Sequence, residues 1–505
     1  MIVQASNALR RAAPSLVAGF IAAVVLAGCS YRMDPVENPV KLPASWDATT
    51  TPNAKPGIQK DWWKNFGSPT LDQLITDALR DNPSLIGTEE RLKQAERTLS
   101  GDHDSLFPDP SISASTSKTR SGSSGNSIPL LNGTTISGST SVSLSARYTV
   151  DLWGGTAARY RASVASYVGT KYDADLARIQ LASNVARDYF NLLSLRQQVD
   201  IARQNLDIAQ RLLRIVDARY RNGTVREYDL RQQNVTVLQQ QTQLIPLENQ
   251  LRQAETALGL LLGRTPQEFH VQGEPIDQLN VPEIAPWLPG ELLLRRPDMA
   301  SAETDMAAAK ANLAAAHANL IPVSLSLSAS DSTSSLKVFD ITDVRNYSVS
   351  GILSLATGIF DYRSRRNNYL NSKSSEYVAL VTYANTIRTA LKDVDDNLAT
   401  VEADQRTEES QRATLEQAQR ALDLAELQYR EGSSEVEDVL NAQRTLFSAQ
   451  QSLAQARVSR LTAAVSLYVS LGGGWEGPDL TPAPAGKAAA AAAAATTPAA
   501  PPASQ

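Results

Sequence analysis

Two rhythms of apolar and polar positions run along this chain. Short stretches alternate with a period of two: Ser111-Ile-Ser-Ala-Ser-Thr-Ser117, Thr140-Ser-Val-Ser-Leu-Ser-Ala-Arg-Tyr-Thr-Val150, Val323-Ser-Leu-Ser-Leu-Ser-Ala-Ser330 and Tyr347-Ser-Val-Ser-Gly-Ile-Leu-Ser-Leu355. Ser or Thr on one face with Val, Leu or Ile on the other predicts strands, at about 111–119, 138–151, 322–331 and 345–358. Much longer stretches carry a helical period. Thr156 to Tyr220 contains no Pro and only Gly169 as a breaker, and Arg363 to Tyr429 contains neither. Helices of roughly 65 residues would be about 95 Å long. Leu176, Ile179, Ala182, Ala186, Tyr189, Leu193 and Arg196 fall on one narrow stripe, which suits coiled-coil packing better than a globular core. Return helices are predicted from Tyr228 to Leu262 and from Val436 to Leu471, so that 156–263 and 363–472 each form a helical hairpin. Pro246 is expected to kink or interrupt the first return helix, whereas the second has Gln455 at that position.

The chain uses this plan twice. Tyr220-Arg-Asn-Gly-Thr-Val-Arg-Glu-Tyr-Asp229 and Tyr429-Arg-Glu-Gly-Ser-Ser-Glu-Val-Glu-Asp438 keep Tyr, Arg, Gly and Asp in order at an offset of 209 residues. The offset holds from Leu206/Leu415 to Gly263/Gly472, with Gly223 and Gly432 at the hairpin turns. Upstream, Pro83/Pro297, Glu89/Glu303 and Pro108/Pro322 match at an offset of 214 residues. Two structural repeats are therefore expected over 61–263 and 290–472, joined by a Pro- and acid-rich connector over 264–289.

The apolar faces of the four strands have no obvious cover. A soluble sheet would place them on a core, but no second sheet or covering helix is apparent. A transmembrane barrel reads the same way, with apolar residues to lipid and small polar ones to a wet lumen. Four strands cannot close a pore, so oligomerisation is required. The segments from Lys118 to Ser139 and from Asp331 to Asn346 are Ser/Gly-rich and polar, and read as loops.

Composition and the two ends refine this picture. With 42% hydrophobic and 6% aromatic residues, the chain suits long helices rather than a thick core. A formal charge of −5 gives no reason to expect a nucleic-acid partner. Arg10 and Arg11 precede an apolar run from Ser15 to Leu26, and Leu26-Ala-Gly-Cys29 has the form of a bacterial lipobox. Residues 1–28 read as a lipoprotein signal peptide, with Cys29 the lipidation site. Cys29 is the only cysteine, which excludes disulfides. Residues 29–60 read as an extended arm behind the anchor, and 473–505 as a disordered Ala/Pro-rich tail.

Taken with Trp62-Trp-Lys-Asn-Phe66, Leu294-Arg-Arg-Pro-Asp298, Phe360-Asp361, Val439-Leu-Asn-Ala-Gln-Arg444 and Leu471-Gly-Gly-Gly-Trp475, these features resemble the outer-membrane efflux channels of the TolC/OprM type, in their lipoprotein branch. The resemblance covers nearly all of residues 29–477. It implies a mixed α and β fold: a homotrimer with a 12-stranded transmembrane β-barrel, four strands per chain, continued by a long α-helical barrel across the periplasm. It further implies an exit channel of a tripartite pump, working with a periplasmic adaptor and an inner-membrane RND transporter, and neither enzyme activity nor a cofactor. In such channels acidic residues just past the hairpin turns ring a periplasmic gate, and Tyr and Arg tie neighbouring hairpins. Position by position, Asp229 and Asp438 match gate acids and Tyr429 the linking tyrosine; Tyr220, its counterpart in the first copy, joins the candidates. Asn441 stands where an acid is common and Ser434 where a base is common, so Arg226, Arg221 or Arg430 are candidates for the missing link, and Glu435 and Glu437 for the missing charge.

Other readings keep specific grounds. Any one of these acids could be a solvated helix-surface charge. A non-channel coiled-coil adaptor would explain the hairpins but not the strands, and type I protein secretion is a second possibility within the channels. Met33, Met299 and Met306 form no relay for metal export. An enzyme has little support: there is no P-loop, no Gly-x-Ser-x-Gly, no dinucleotide fingerprint, and His103, His270 and His317 lack zinc-site spacing.

Overall fold

The computed structural model describes residues 40, 43, 45–46, 59–122, 134–265, 267, 269–284, 286, 289–292, 294–321, 323–335, 344–354 and 361–477. Cys29, the signal segment, most of the 29–60 arm and the tail beyond 477 lie outside the described residues. A one-turn 3-10 helix, Trp62–Phe66, precedes α1 (Pro69–Asp81), α2 (Pro83–Asp104), β1 (Asp109–Gly122), β2 (Thr134–Val150), α3 (Gly155–Arg221) and α4 (Glu227–Leu261). After the connector come α5 (Pro297–Ala318), β3 (Ser324–Ser335), β4 (Val344–Ser354), α6 (Tyr362–Arg430) and α7 (Val436–Ser470).

Local chemistry sets these boundaries. Ser68 accepts from the Leu71 amide at 3.0 Å with Pro69 at the first helical position, and Asn82 does the same for Leu85 ahead of α2. Both long helices end in the same way. The amides of Gly223 and Thr224 donate to the carbonyls of Tyr220 and Arg219, and those of Gly432 and Ser433 to Tyr429 and Gln428. The turn glycines have φ of 71° and 78°, which completes a Schellman cap in each copy.

The four strands form one antiparallel sheet in the order β1-β2-β3-β4. Its register puts serines opposite serines: Ser111–Ser145, Ser113–Ser143, Ser115–Ser141 and Ser117–Ser139 join β1 to β2 by hydroxyl hydrogen bonds of 2.7–2.9 Å. Ser328–Ser350 and Ser330–Ser348 do the same between β3 and β4, each at 2.8 Å. The other face carries Ile112, Val142, Leu144, Leu327 and Val349, and none of the described residues covers it: Ile112 is 77% exposed and Val349 82%.

Three expectations need correction. The strand ladders run on into the segments read as loops, to Gly122 opposite Thr134 and Ser334 opposite Val344, because no proline falls within the added pairs to remove a ladder donor. In β4 the alternation changes phase at Gly351, so Ile352 lies on the hydroxyl side, opposite Ser326. Pro246 does not interrupt α4, which is continuous from Glu227 to Leu261. Pro246 and the Thr242 it leaves without an amide donor are both exposed, so water can hydrate the freed carbonyl. Gly169 likewise leaves α3 unbroken; a Cβ there would meet the Thr304 hydroxyl at 2.8 Å, so its bareness lets α5 pack closely.

The apolar core is concentrated at the level of the connector. Trp62 and Phe66, Leu71 and Ile75 of α1, Val185, Tyr189 and Phe190 of α3, Leu258 of α4 and Leu461 and Tyr468 of α7 pack into one cluster with Phe269, Val271, Ile276 and Leu279 of the connector. Trp62 stacks on Tyr468 at 5.1 Å between ring centroids. A second cluster lies near the hairpin tips and holds Leu212 and Val216 of α3 against Leu422, Tyr429, Val439 and Leu440 of the second hairpin. Elsewhere the helices stay wet on much of their surface. Among the described residues no helix is long and apolar enough to cross a membrane.

Candidate functional site

Asp229, Tyr429, Glu435 and Glu437 border a cleft of about 470 Å³ where the two hairpin tips of one chain meet, together with Arg219, Arg226 and Arg444, whereas Tyr220 and Asp438 do not line it. Side-by-side packing of α3 on α7 places the two tips next to each other.

Asp229 and Asp438 occupy the same place in their copies, the third residue of a return helix. The Asp229 carboxylate accepts from the Arg226 backbone amide at 3.1 Å and pairs with the Arg226 guanidinium at 3.4 Å, which supplies the acidic half of a capping box. Asp438 accepts from the Ser434 hydroxyl at 2.7 Å. Both acids therefore stabilise a helix start by compensating the helix dipole, Asp229 satisfying an unpaired amide as well, and that local role accounts for an acid in both copies whatever else they do. Glu435 is the N-cap residue of α7 and Glu437 lies in its first turn; both are exposed, as is Tyr220.

The three arginines expected to tie the tips do not do so within the chain. Arg226 serves Asp229, Arg221 pairs with Asp217 at 2.8 Å, and Arg430 donates to the Glu426 carbonyl at 3.3 Å. All three lie at or beyond a helix end, where the nearest partners are on their own hairpin. Arg219, two residues before Arg221 in the last turn of α3, reaches across instead. Its guanidinium carbon sits 4.3 Å from the centroid of the Tyr429 ring and one of its nitrogens lies 3.5 Å from the Tyr429 carbonyl oxygen. Sequence reasoning missed Arg219, although the duplication holds a signal: the matched tyrosines are each preceded by mismatched residues, Arg219 in one copy and Gln428 in the other.

A second polar cluster stands at the connector. Glu408 of α6 is 1% exposed and takes Arg457 and Arg460 of α7 at 3.1 and 3.0 Å, with Arg412 at 2.8 Å. Arg457 also donates to the Leu279 carbonyl at 2.5 Å, which ties the second hairpin to the connector. The histidines stay apart: His103 lies against Phe107 and Tyr160, His317 against Tyr369, and His270 projects from the connector.

Known proteins of the same build carry consistent descriptions. The family model described as Outer membrane efflux protein matches residues 74–264 and 288–473. Over 459 residues the chain is 35% identical to the pyoverdine export outer membrane protein OpmQ of Pseudomonas aeruginosa, covering 90% of this chain and 96% of that one. It is 28% identical to a probable outer membrane lipoprotein, SilC of Salmonella typhimurium, across 89% of this chain and 97% of that one. The solved structure of the outer-membrane channel OprN superposes with a TM-score of 0.77 at 26% identity, covering 88% of this chain and 99% of that chain.

Proposed function

The chain belongs to the outer membrane efflux protein family and is an outer-membrane exit channel for efflux, and from this we propose that three copies assemble into a conduit that the paired hairpins close at its periplasmic end. The observation that carries the trimer is the sheet. Among the described residues it has four strands, unpaired edges at β1 and β4, and an apolar face that none of them covers. Twelve strands from three copies would remove every edge, turn that face to lipid and enclose the serine ladder as a wet lining. The helices would then continue the tube through the periplasm, which accounts for their wet surfaces. Cys29 would carry the lipid, as the likeness to SilC suggests. A periplasmic adaptor and an inner-membrane RND transporter are the partners this architecture calls for.

In the trimer Asp229 and Asp438 would face their threefold mates at the tip, where the gathered negative charge would draw cations to the entrance. The name of OpmQ makes pyoverdine the first cargo to test, ahead of antibiotics. The full chain purified from membranes should run as heat-modifiable trimers and conduct in planar bilayers. Its lipid should be lost in Cys29→Ser. Asp229→Ala combined with Asp438→Ala should raise conductance and leak large antibiotics into the cell. A folded monomer with no conductance would sink the channel, and normal trimers with unchanged conductance in the double variant would sink the gate assignment.

A further inference from the structure

The hairpin tips of one chain are held together by a contact that the acidic residues do not make. Asp229 and Asp438 bond within their own hairpins. Tyr429 is 6% exposed, yet its hydroxyl is buried and makes no hydrogen bond among the described residues. What Tyr429 offers the other hairpin is the face of its ring and its carbonyl oxygen, and Arg219 takes both. Leu212 and Val216 pack beneath this contact against Leu422 and Val439, so that the guanidinium lies at the edge of an apolar patch, where a cation over a ring is worth more than in open water.

We propose that Arg219 is the latch of the closed tip: a positioning residue that binds the first hairpin to the second through the π face of Tyr429, independently of the Tyr429 hydroxyl. This rests on the reading of the chain as a gated channel. Opening moves one hairpin away from the other, and lifting the guanidinium off the ring is then a step that every opening shares. The planar guanidinium stacks on the ring while one N–H reaches the carbonyl, a pair of contacts that a lysine ammonium cannot make together.

The proposal separates ring from hydroxyl, and so does its test. Full-length trimers carrying Arg219→Gln, Arg219→Lys, Tyr429→Ala or Tyr429→Phe are compared in planar bilayers, with apparent melting of each as a control for folding. Arg219→Gln and Tyr429→Ala should each raise mean conductance about two- to five-fold, the bias expected of a half-exposed cation–π contact. Their combination should exceed neither single change by much, because both remove one contact. Arg219→Lys should fall between Gln and wild type. Tyr429→Phe keeps the ring and should open the channel far less than Tyr429→Ala. Should Tyr429→Phe open it as far as Tyr429→Ala, the hydroxyl is the tie and the latch is overturned, as it also is if Arg219→Gln conducts like wild type. Both outcomes leave the channel standing. If trimers of every variant, Asp229→Ala with Asp438→Ala included, insert without conducting, the channel and its latch fall together.

Discussion

Glu274, in the connector between the two copies, accepts from the Tyr189 hydroxyl at 2.5 Å, from the hydroxyls of Ser68 and Thr70 at 2.9 Å, and from the Thr70 amide at 3.4 Å. It thereby seats the connector on the first turn of α1 and on the middle of α3. Burial by itself would raise the pKa of this carboxyl, but Tyr189, its own backbone amide, Ser68 and Thr70 together outweigh burial and hold it at about 2. For the phenol, burial and the neighbouring carboxylate act in the same direction and push Tyr189 up to about 12. A carboxyl with a folded pKa below its ordinary value of 4.5 stabilises the fold fully above pH 4.5 and loses that contribution as pH falls through about 2. Glu274→Gln should therefore cost on the order of 1–2 kcal/mol at pH 7, after discounting for partial exposure, and almost nothing near pH 2. Apparent melting temperatures of the two proteins in detergent, compared from pH 7 to pH 2, test this; a gap that stays constant with pH would refute it. Nothing in the sequence pointed to Glu274. It sits in an irregular segment with no period, and its partners lie some 85 and 200 residues away, at separations of 85, 204 and 206.

The Schellman cap recurs at the far ends of the return helices, where Gly263 and Arg264 donate to Leu260 and Gly259, and Gly472 and Gly473 to Val469 and Tyr468. All four cap glycines have positive φ, yet their surroundings differ. A Cβ on Gly223 or Gly432 would meet nothing within 4 Å. On Gly263 it would lie 2.6 Å from the Asp81 carbonyl oxygen, and on Gly472 it would run into the Arg295 carbonyl. The tip glycines thus serve only the turn, while the others let a return helix dock on the joint that precedes α2 or α5. Gly432→Ala should cost about 1–2 kcal/mol, the strain of a left-handed non-glycine residue, and still give trimers. Gly472→Ala should displace backbone against backbone and abolish them, which heat-modifiable gel mobility would report; equal trimer yields would contradict it. Gly223 and Gly432 were legible as turns because a single glycine breaks a long helical period. That Gly472 is a docking point was not, since its partner Arg295 is brought to it only by the fold. The same distance hid the Glu408 cluster, whose acid and arginines lie on different helices, whereas the strands and hairpins announced themselves through periods confined to a few residues.

At the scale of the whole molecule, the sheet has to satisfy two solvents at once. Its hydroxyl face is internally bonded in cross-strand pairs, so each pair keeps donor and acceptor capacity for water without presenting charge. Its apolar face interrupts that wetness with Ile112, Leu144, Leu327 and Val349, exposed in the single chain to an extent that a water-soluble monomer would not sustain as one patch. The two faces are interleaved residue by residue, which gives a direct test of which side meets lipid. Val349 and Ser350 are neighbours on β4, with Val349 opposite Ala329 and Ser350 bonded to Ser328. A lysine at Val349 would be forced toward hydrocarbon, at a cost of about 2–4 kcal/mol per chain near the bilayer midplane, and a trimer would incur it three times. A lysine at Ser350 would stand in the lumen among waters, where the main expected effect is a shift of ion preference toward anions. Val349→Lys should therefore collapse the yield of membrane-inserted trimers while Ser350→Lys retains it and moves the reversal potential in a salt gradient. The opposite ranking of yields would place the serines against lipid, which their paired hydroxyls could not tolerate as cheaply as the valine and leucines do, and would leave the conduit without a wet wall.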